Sequence, residues 1–347
     1  MKLDEKGLAL VFVLWVLVFI SVIAGGFSFA ARQGRKTVYS EGIKTKAYYI
    51  SLAGFNAALA GLIQAGKEKK EDEVWRVNAD LPSMPFGEGR FQVFISNDSG
   101  KINLNKADMG MIQLLLTNSE LSDHDKDVIV SSILDWRDKD SFARLNGAEK
   151  EYYSSLPNPY TPRNDNFSSP SELLKVRGIT QEIFAAFFKN RLSVKIDENE
   201  LLPQKSSIQE YLQLENRGVQ NGIQTFFTIE KRREMNRVGK QYDHSKININ
   251  AAAAGMLLCL PGMTENLVEQ VLAYRREKDL ISLSDFEAIV GKEVFAGISK
   301  YLSLNLSRYY TITSAGWVNG SEIIQRVRMD VWVDNKNWNE YKVVQRY

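Results

Sequence analysis

Four oxygen-bearing side chains fall at metal-loop spacing in the middle of the chain. Counted from Asp138 as the first position of a twelve-residue calcium loop, Asp140 is third, Asn146 ninth and Glu149 twelfth, and each is an acceptable oxygen ligand. Phe142 occupies the fifth ligand place, and Ala143 replaces the glycine that the sharp turn at position six requires. A regular EF-hand is therefore not expected. Calcium also accepts irregular cages of carboxylates and carbonyls, so Asp138, Asp140 and Glu149 stand as the candidate metal ligands, with a solvated acidic loop as the plain alternative. Asp135 and Glu151 either add to the set or are merely exposed.

Other chemistry finds little support. The two histidines, His124 and His244, sit in no HExxH pattern, and the chain holds neither GxSxG nor a cysteine pair. Phosphate loops of the GxxxxGK[ST] and GxGxxG types are missing as well. No catalytic residue and no organic cofactor are expected, and the chain reads as a non-enzyme. The single cysteine, Cys259, lies in the apolar run Met256–Leu260 and reads as core packing.

Leu260-Pro261-Gly262-Met263 resembles the start of a helix-hairpin-helix unit, whose backbone amides often grip nucleic-acid phosphates. A second glycine would follow two residues later, but Thr264 and Glu265 stand there, and a carboxylate repels a phosphate. The corresponding break upstream, Asn118 to Asp123, has two acids and no glycine. With a net charge of only +2, nucleic acid is not an expected partner.

The elements that position these residues begin with an uncharged apolar run from Leu8 to Ala31. At ~1.5 Å of rise per residue it makes a rod of about 36 Å, longer than a ~30 Å hydrocarbon core. Helical spacing of Tyr48, Leu52, Phe55, Leu59, Leu62 and Ile63 extends the rod to about residue 66, with Gly25, Gly26, Gly34 and Gly42 loosening its middle. Basic residues beyond the run (Arg32, Arg35, Lys36, Lys44 and Lys46) outnumber Lys2 and Lys6 before it, which by the positive-inside rule alone predicts the N-terminus outside.

Alternation over Phe91–Ser96, Tyr310–Ala315, Glu322–Val333 and Tyr341–Tyr347 predicts strands, with Asn319-Gly320 as a hairpin turn. The sheet is then split by a large helical insertion, in which Ile102-Asn103-Leu104-Asn105 and Ile247-Asn248-Ile249-Asn250 open two copies of one module. Ser169 and Ser282 or Ser284 read as helix N-caps, and Thr225–Ile229 as a strand. The expected fold is α+β: a long N-terminal membrane helix and a pilin-like antiparallel sheet, interrupted by a mainly helical insertion with two helix-hairpin-helix-like repeats. Residues 1–7 form a leader, 8–31 the span, 67–100 and 302–347 the sheet domain, 101–190 and 246–301 the repeats, and 191–245 a connector.

The short charged leader ending in Gly7 resembles that of a type IV prepilin or pseudopilin, which is cut after the glycine on the cytoplasmic side. Further along, Asp135-Trp136-x-Asp138, Gly147-Ala148-Glu149, Tyr152-Tyr153, Pro159-Tyr160, Ser171-Glu172-Leu173-Leu174-x-Val176-x-Gly178 and Ile247-Asn248-x-Asn250 follow in an order that resembles the K-type minor pseudopilins of type II secretion. That resemblance implies processing between Gly7 and Leu8 by a prepilin peptidase, with methylation of the new terminus. It implies an inner-membrane anchor with the body in the periplasm, opposite to the charge-flank expectation. It also implies I-type and J-type minor pseudopilins and the pseudopilus shaft as partners, and calcium at Asp138, Asp140 and Glu149. Most pseudopilins carry glutamate at the fifth residue after the cut, where Phe12 stands here; K-type members share that lack, which implies a seat at the filament tip. The rival expectations are a membrane-anchored DNA-uptake protein and a minor pilin that primes a type IV pilus.

Overall fold

The computed structural model describes residues 5–68, 74–79, 81–117, 119, 121–180, 227–229, 243–334 and 340–346. Helix α1 runs unbroken over Glu5–Glu68. No proline precedes Pro82, so nothing in the sequence removes a backbone donor or forces a kink before then. The four glycines do not interrupt it.

The sheet contains β1 (Met84–Phe86), β2 (Gly89–Asn97), β7 (Tyr309–Val318), β8 (Ile324–Val333) and β9 (Tyr341–Arg346), in the spatial order β1-β2-β7-β8-β9 with every pair antiparallel. Asn97 faces Tyr310 across the β2–β7 ladder, so residues 98–308 leave and rejoin the sheet between two adjacent strands. The expected turn at Asn319-Gly320 is present, with Gly320 at φ +78° and Ser321 N–H donating to the Val318 carbonyl. A hairpin also forms where Pro82, Pro85, Gly87 and Gly89 mark a loop in the sequence: Gly87, at φ +55°, lets β1 fold back on β2.

Helix α1 packs on the sheet only from Ala47 onward, burying Ala47, Ile50, Phe55, Ala58, Leu59 and Leu62 against Phe91, Val93, Ile95, Ile312, Val327 and Met329. The approach is close. A Cβ on Gly316 would stand 2.4 Å from Ser51 N, and one on Gly54 would stand 2.4 Å from Ser314 Oγ. Before Ala47 the helix has no buried residue among those whose side chains are described.

The insertion has its own core. Its first part holds β3 (Ile102–Asn103), α2 (Met109–Leu116), α3 (Asp123–Arg137) and α4 (Lys150–Ser154). After β4 (Phe227–Thr228) come β5 (Ile247–Asn248), α5 (Ala254–Cys259), α6 (Glu265–Glu277), α7 (Leu283–Val290), α8 (Lys292–Ile298) and β6 (Leu302–Ser303). The two asparagine-rich openings do the same local work. Asn103 and Asn248 each accept from the amide two residues on, at 3.0 and 2.8 Å, and β3 and β5 each add one short parallel partner, β4 and β6 respectively. Arg137 donates to the Leu104 and Ala107 carbonyls, and buried Arg275, its guanidinium held at about 10 by burial, donates to Ala252 O.

Local caps set several helix starts, and one of the expected caps does not form. Helix α3 starts at Asp123, capped by the Ser122 hydroxyl accepting from Asp125 N–H. Ser282 makes a capping box with Asp285. Ser169, by contrast, opens a 3-10 turn over Pro170–Lys175 without a side-chain cap; the Glu172 N–H bonds to the Ser169 backbone carbonyl instead. Of the expected strand Thr225–Ile229, Phe227–Thr228 forms; Thr225, Phe226 and nearly all of the 191–245 connector lie outside the described residues.

Polar contacts tie the two bodies together. Asn97 donates to Ser307 O and accepts from Ser307 N and Oγ. Asn78, in the left-handed region at φ +58°, donates to Asn250 O. Arg76 reaches the carbonyls of Arg275 and Arg276 at the C-terminal end of α6, and pairs with Asp279 at 2.8 Å. A cation suits that end of a helix dipole.

Candidate functional site

Two surfaces distinguish this chain. The first is the leading part of α1, in which Gly7 and Leu8 lie in the opening turns. From Phe12 onward it offers large apolar side chains outward, with Phe12, Trp15 and Phe19 each about two-thirds exposed. Ser21, one of two serines within the run, bonds back to the Leu17 carbonyl at 2.8 Å, so its hydroxyl needs no water. This helix is long and apolar enough to cross a membrane, and none of its most apolar window is buried within the protein.

The second surface is the loop that follows α3. Asp135, on the last turn of α3, is completely buried and receives the Arg144 backbone N–H at 3.1 Å together with the Arg144 guanidinium. The same guanidinium binds Asp138 at 2.7 Å. Burial opposes the charge on Arg144, but its hydrogen bonds to Asp138 and Asp135 outweigh that and raise its pKa. Gly147 permits the tight return, since a Cβ there would stand 1.8 Å from Asp135 Oδ2. A face-to-edge aromatic group, Trp136 against Tyr153 at 5.3 Å with Phe167 stacked on Trp136 at 6.3 Å, backs the loop.

Within that frame Asp138, Asp140 and Glu149 each bring a carboxylate oxygen within 4.8 Å of the others. Among the described residues this is the group of acids, histidines and cysteine with metal-site proximity. Asn164, at φ +46°, reaches over the group and donates to Asp140 O at 2.8 Å and to Glu149 Oε2 at 3.1 Å. Asp138 Oδ1, Glu149 Oε1 and Asn164 Oδ1 are buried and accept no hydrogen bond. Three acceptor oxygens withdrawn from water with no donor are costly unless a cation satisfies them. The donor set, carboxylates plus one amide oxygen, fits a hard cation such as calcium. Burial pushes the Glu149 carboxyl above its ordinary value of 4.5, and Asp135, Asp138 and Asp140 push the same way against the Asn164 hydrogen bond.

The three expected ligands thus meet. Asn146, at the ninth loop position, turns away and donates to Asp127 at 2.6 Å. Asp135 is buried in an ion pair, and Glu151 is exposed. Sequence reading missed Asn164, whose distance along the chain fits no ligand spacing, and Arg144, whose guanidinium is no metal ligand; an asparagine in a proline- and asparagine-rich loop was the available signal. His244 lies 3.4 Å from the Asn103 amide, with no acid or cysteine cluster around it among the described residues. The hairpin at Leu260–Thr264 forms with Gly262 at φ +77°, and Thr264 caps α6 by accepting from Leu267 N–H.

Residues 92–189, which include the whole acidic loop, match the family model for type II secretion system (T2SS) protein K. Over 87 residues the chain is 31% identical to type II secretion system protein K of Pectobacterium carotovorum subsp. carotovorum, covering 25% of this chain and 26% of that protein. It is 27% identical over 201 residues to a putative type II secretion system protein K of Escherichia coli (strain K12), covering 53% and 61%, and 31% identical over 113 residues to the protein K of Aeromonas hydrophila, covering 30% and 34%. The matches thus span between about a quarter and three-fifths of those relatives' own lengths. In structure, the chain resembles one from the GspK-GspI-GspJ complex of the enterotoxigenic Escherichia coli Type 2 Secretion System, with a TM-score of 0.53, 16% sequence identity, and coverage of 90% of this chain and 98% of that one. The resemblance to the K-type minor pseudopilins holds, and with it the expected fold: long apolar helix, antiparallel sheet and helical insertion.

Proposed function

We propose that this protein is a minor pseudopilin that, with I-type and J-type partners, primes assembly of the type II secretion pseudopilus and caps its tip. The observation that carries the reading is the combination on one helix of an outward apolar face and Phe12 at the fifth place after Gly7. A carboxylate at that place would offset the desolvation of a neighbouring chain's terminal amine inside lipid; phenylalanine cannot. A subunit that cannot accept the next amine suits an end position. The helical insertion, tied to the sheet domain through Asn97 and Arg76, supports the same seat, because such bulk repeated along a thin filament would collide with itself.

In this role the chain works by assembly, with no catalytic step. The apolar run anchors it in the inner membrane with the body in the periplasm. A prepilin peptidase removes residues 1–7, and Leu8 becomes the methylated terminus. Asp138, Asp140 and Glu149, with the Asn164 amide oxygen, would hold calcium, whose charge would offset the crowded acids and let them stiffen the loop.

Labelling the protein in purified pseudopili tests the reading. One labelled end per filament is expected, with Leu8 as the first residue by mass spectrometry. Label spread evenly along the shaft, or an intact Met1, refutes it.

A further inference from the structure

Between the apolar run and Ala47, the first buried residue of α1, the helix carries five cations. Two of them are occupied: Lys44 pairs with Glu41 at 2.8 Å, and Lys46 with Glu88 at 2.6 Å. Arg32, Arg35 and Lys36 are exposed, and none of them makes an ion pair or hydrogen bond with any described residue. No acid stands between Leu8 and Glu41 to neutralise them.

Their placement is specific in depth and in direction. At ~1.5 Å per residue, Arg32 to Lys36 lie within about 8 Å of the end of the apolar run, which is the thickness of one headgroup layer. With ~3.6 residues per turn, Arg32, Arg35, Lys36 and Tyr39 fall within an arc of about 100° on one face. Tyr39 is 72% exposed, and Phe27 and Phe29, just inside the run, are 78% and 70% exposed. An apolar span, then aromatic rings, then unpaired cations is the sequence of layers that a lipid surface offers from hydrocarbon outward.

We infer that Arg32, Arg35 and Lys36, with Tyr39 beside them, form a collar that binds the phosphates of anionic lipids in the leaflet facing the body. The inference rests on reading Leu8–Ala31 as a membrane span. It also accounts for the basic flank that runs against the positive-inside expectation: these cations hold the depth of the anchor. Before assembly the collar fixes where the rod leaves the membrane, and withdrawal into a filament exchanges its lipid contacts.

Native mass spectrometry of the full chain in detergent tests this, with phosphatidylglycerol and phosphatidylcholine supplied at equal concentration. A cation at a membrane surface favours anionic lipid by about fivefold, so the three together should give a preference of tenfold or more. The triple variant Arg32→Gln, Arg35→Gln, Lys36→Gln should lose that preference, whereas Lys44→Gln, about two turns further on, should keep it. Glutamine preserves helix propensity, and circular dichroism of the variant checks that α1 remains. An absent preference, or one that the triple variant retains, overturns the collar. So does a triple variant with unchanged lipid retention but weakened association with the partner subunits, which assigns the cations to acids on a neighbouring helix. Carbonate extraction of the chain from phosphatidylcholine vesicles separates the two levels: release means the span reading has failed, and retention leaves any failure with the collar alone.

Discussion

Glu149→Gln should change the sign of its effect on stability when calcium is added. Without metal, the wild-type carboxylate sits among like charges, with ligand oxygens of Asp138 and Asp140 within 4.8 Å. At that separation one such pair costs about 1 kcal/mol at the dielectric of water and about 3.5 kcal/mol at an effective value of ~20. Asp140 is exposed, which places its share near the lower figure. Glutamine keeps an oxygen for the Asn164 amide and removes the charge, so a gain of about 1–2 kcal/mol is expected, or roughly 2–6 °C in Tm. With calcium at about a hundred times its Kd, the wild type gains ~2.7 kcal/mol that the variant largely forgoes.

The pH dependence has a definite sign. A carboxyl raised above its unfolded value contributes stability below that value and loses it as pH rises through the folded pKa. In chelator, the variant's advantage should therefore be near zero below the ordinary value of 4.5 and should grow as pH rises past it. Thermal melts of the detergent-solubilised full chain, in chelator and in excess calcium across this range, provide the assay. Equal calcium shifts in the two proteins, or none in the wild type, refute the cation site.

Three further substitutions probe the frame. Gly147→Ala should destabilise by about 2–4 kcal/mol, because the new Cβ meets a buried carboxylate oxygen at 1.8 Å and either the turn or the Asp135–Arg144 pair must give way; urea melts read the loss. Gly316→Ala should cost a similar ~2–4 kcal/mol by lifting α1 off β7, since its Cβ meets the Ser51 amide and Ala47 carbonyl; the amides of Ala47–Leu62 should then exchange hydrogen faster. Arg76→Ala removes donors to two carbonyls and an ion pair at the end of α6, so the second half of the insertion should exchange and be cleaved faster, by about 1.5–3 kcal/mol of local opening, while the sheet is unchanged.

What could be read from residues alone followed physical range. The long helix was legible because its signals are local: apolar content, three- and four-residue spacing and no proline before Pro82. The split sheet was legible because period-two alternation survives a long interruption. Hairpin β1–β2 was hidden, since Pro82 and Pro85 beside two glycines read as a loop, and only pairing on one edge of β2 allows Pro85 a strand position. At the acidic loop, Asp138, Asp140 and Glu149 were found because calcium loops impose spacing. Asn164 was not, because its position is set by the return of the chain after α4, which no spacing encodes, and Arg144 was not, because a guanidinium is no calcium ligand.

Two physical causes are assigned to the tip seat, and the topology allows them to be separated. Asn97 and Tyr310 are paired neighbours on adjacent antiparallel strands, so residues 98–309 can be replaced by a two-residue turn without altering any strand order. The junction loses Asn97's bonds to Ser307, and Arg76 and Asn78 exchange their partners for water, whereas the α1–sheet core keeps all of its buried members but Ala251 and loses Leu306 from its rim. A helix-and-sheet protein is expected to remain. Combining this excision with Phe12→Glu gives four chains. If bulk and the missing acid act separately, each single change should leave the label at filament ends, and only the double change should carry it along the shaft. Entry of the Phe12→Glu chain with its insertion intact would show that the insertion imposes no clash, and entry of the excised chain retaining Phe12 would show that the absent carboxylate excludes nothing.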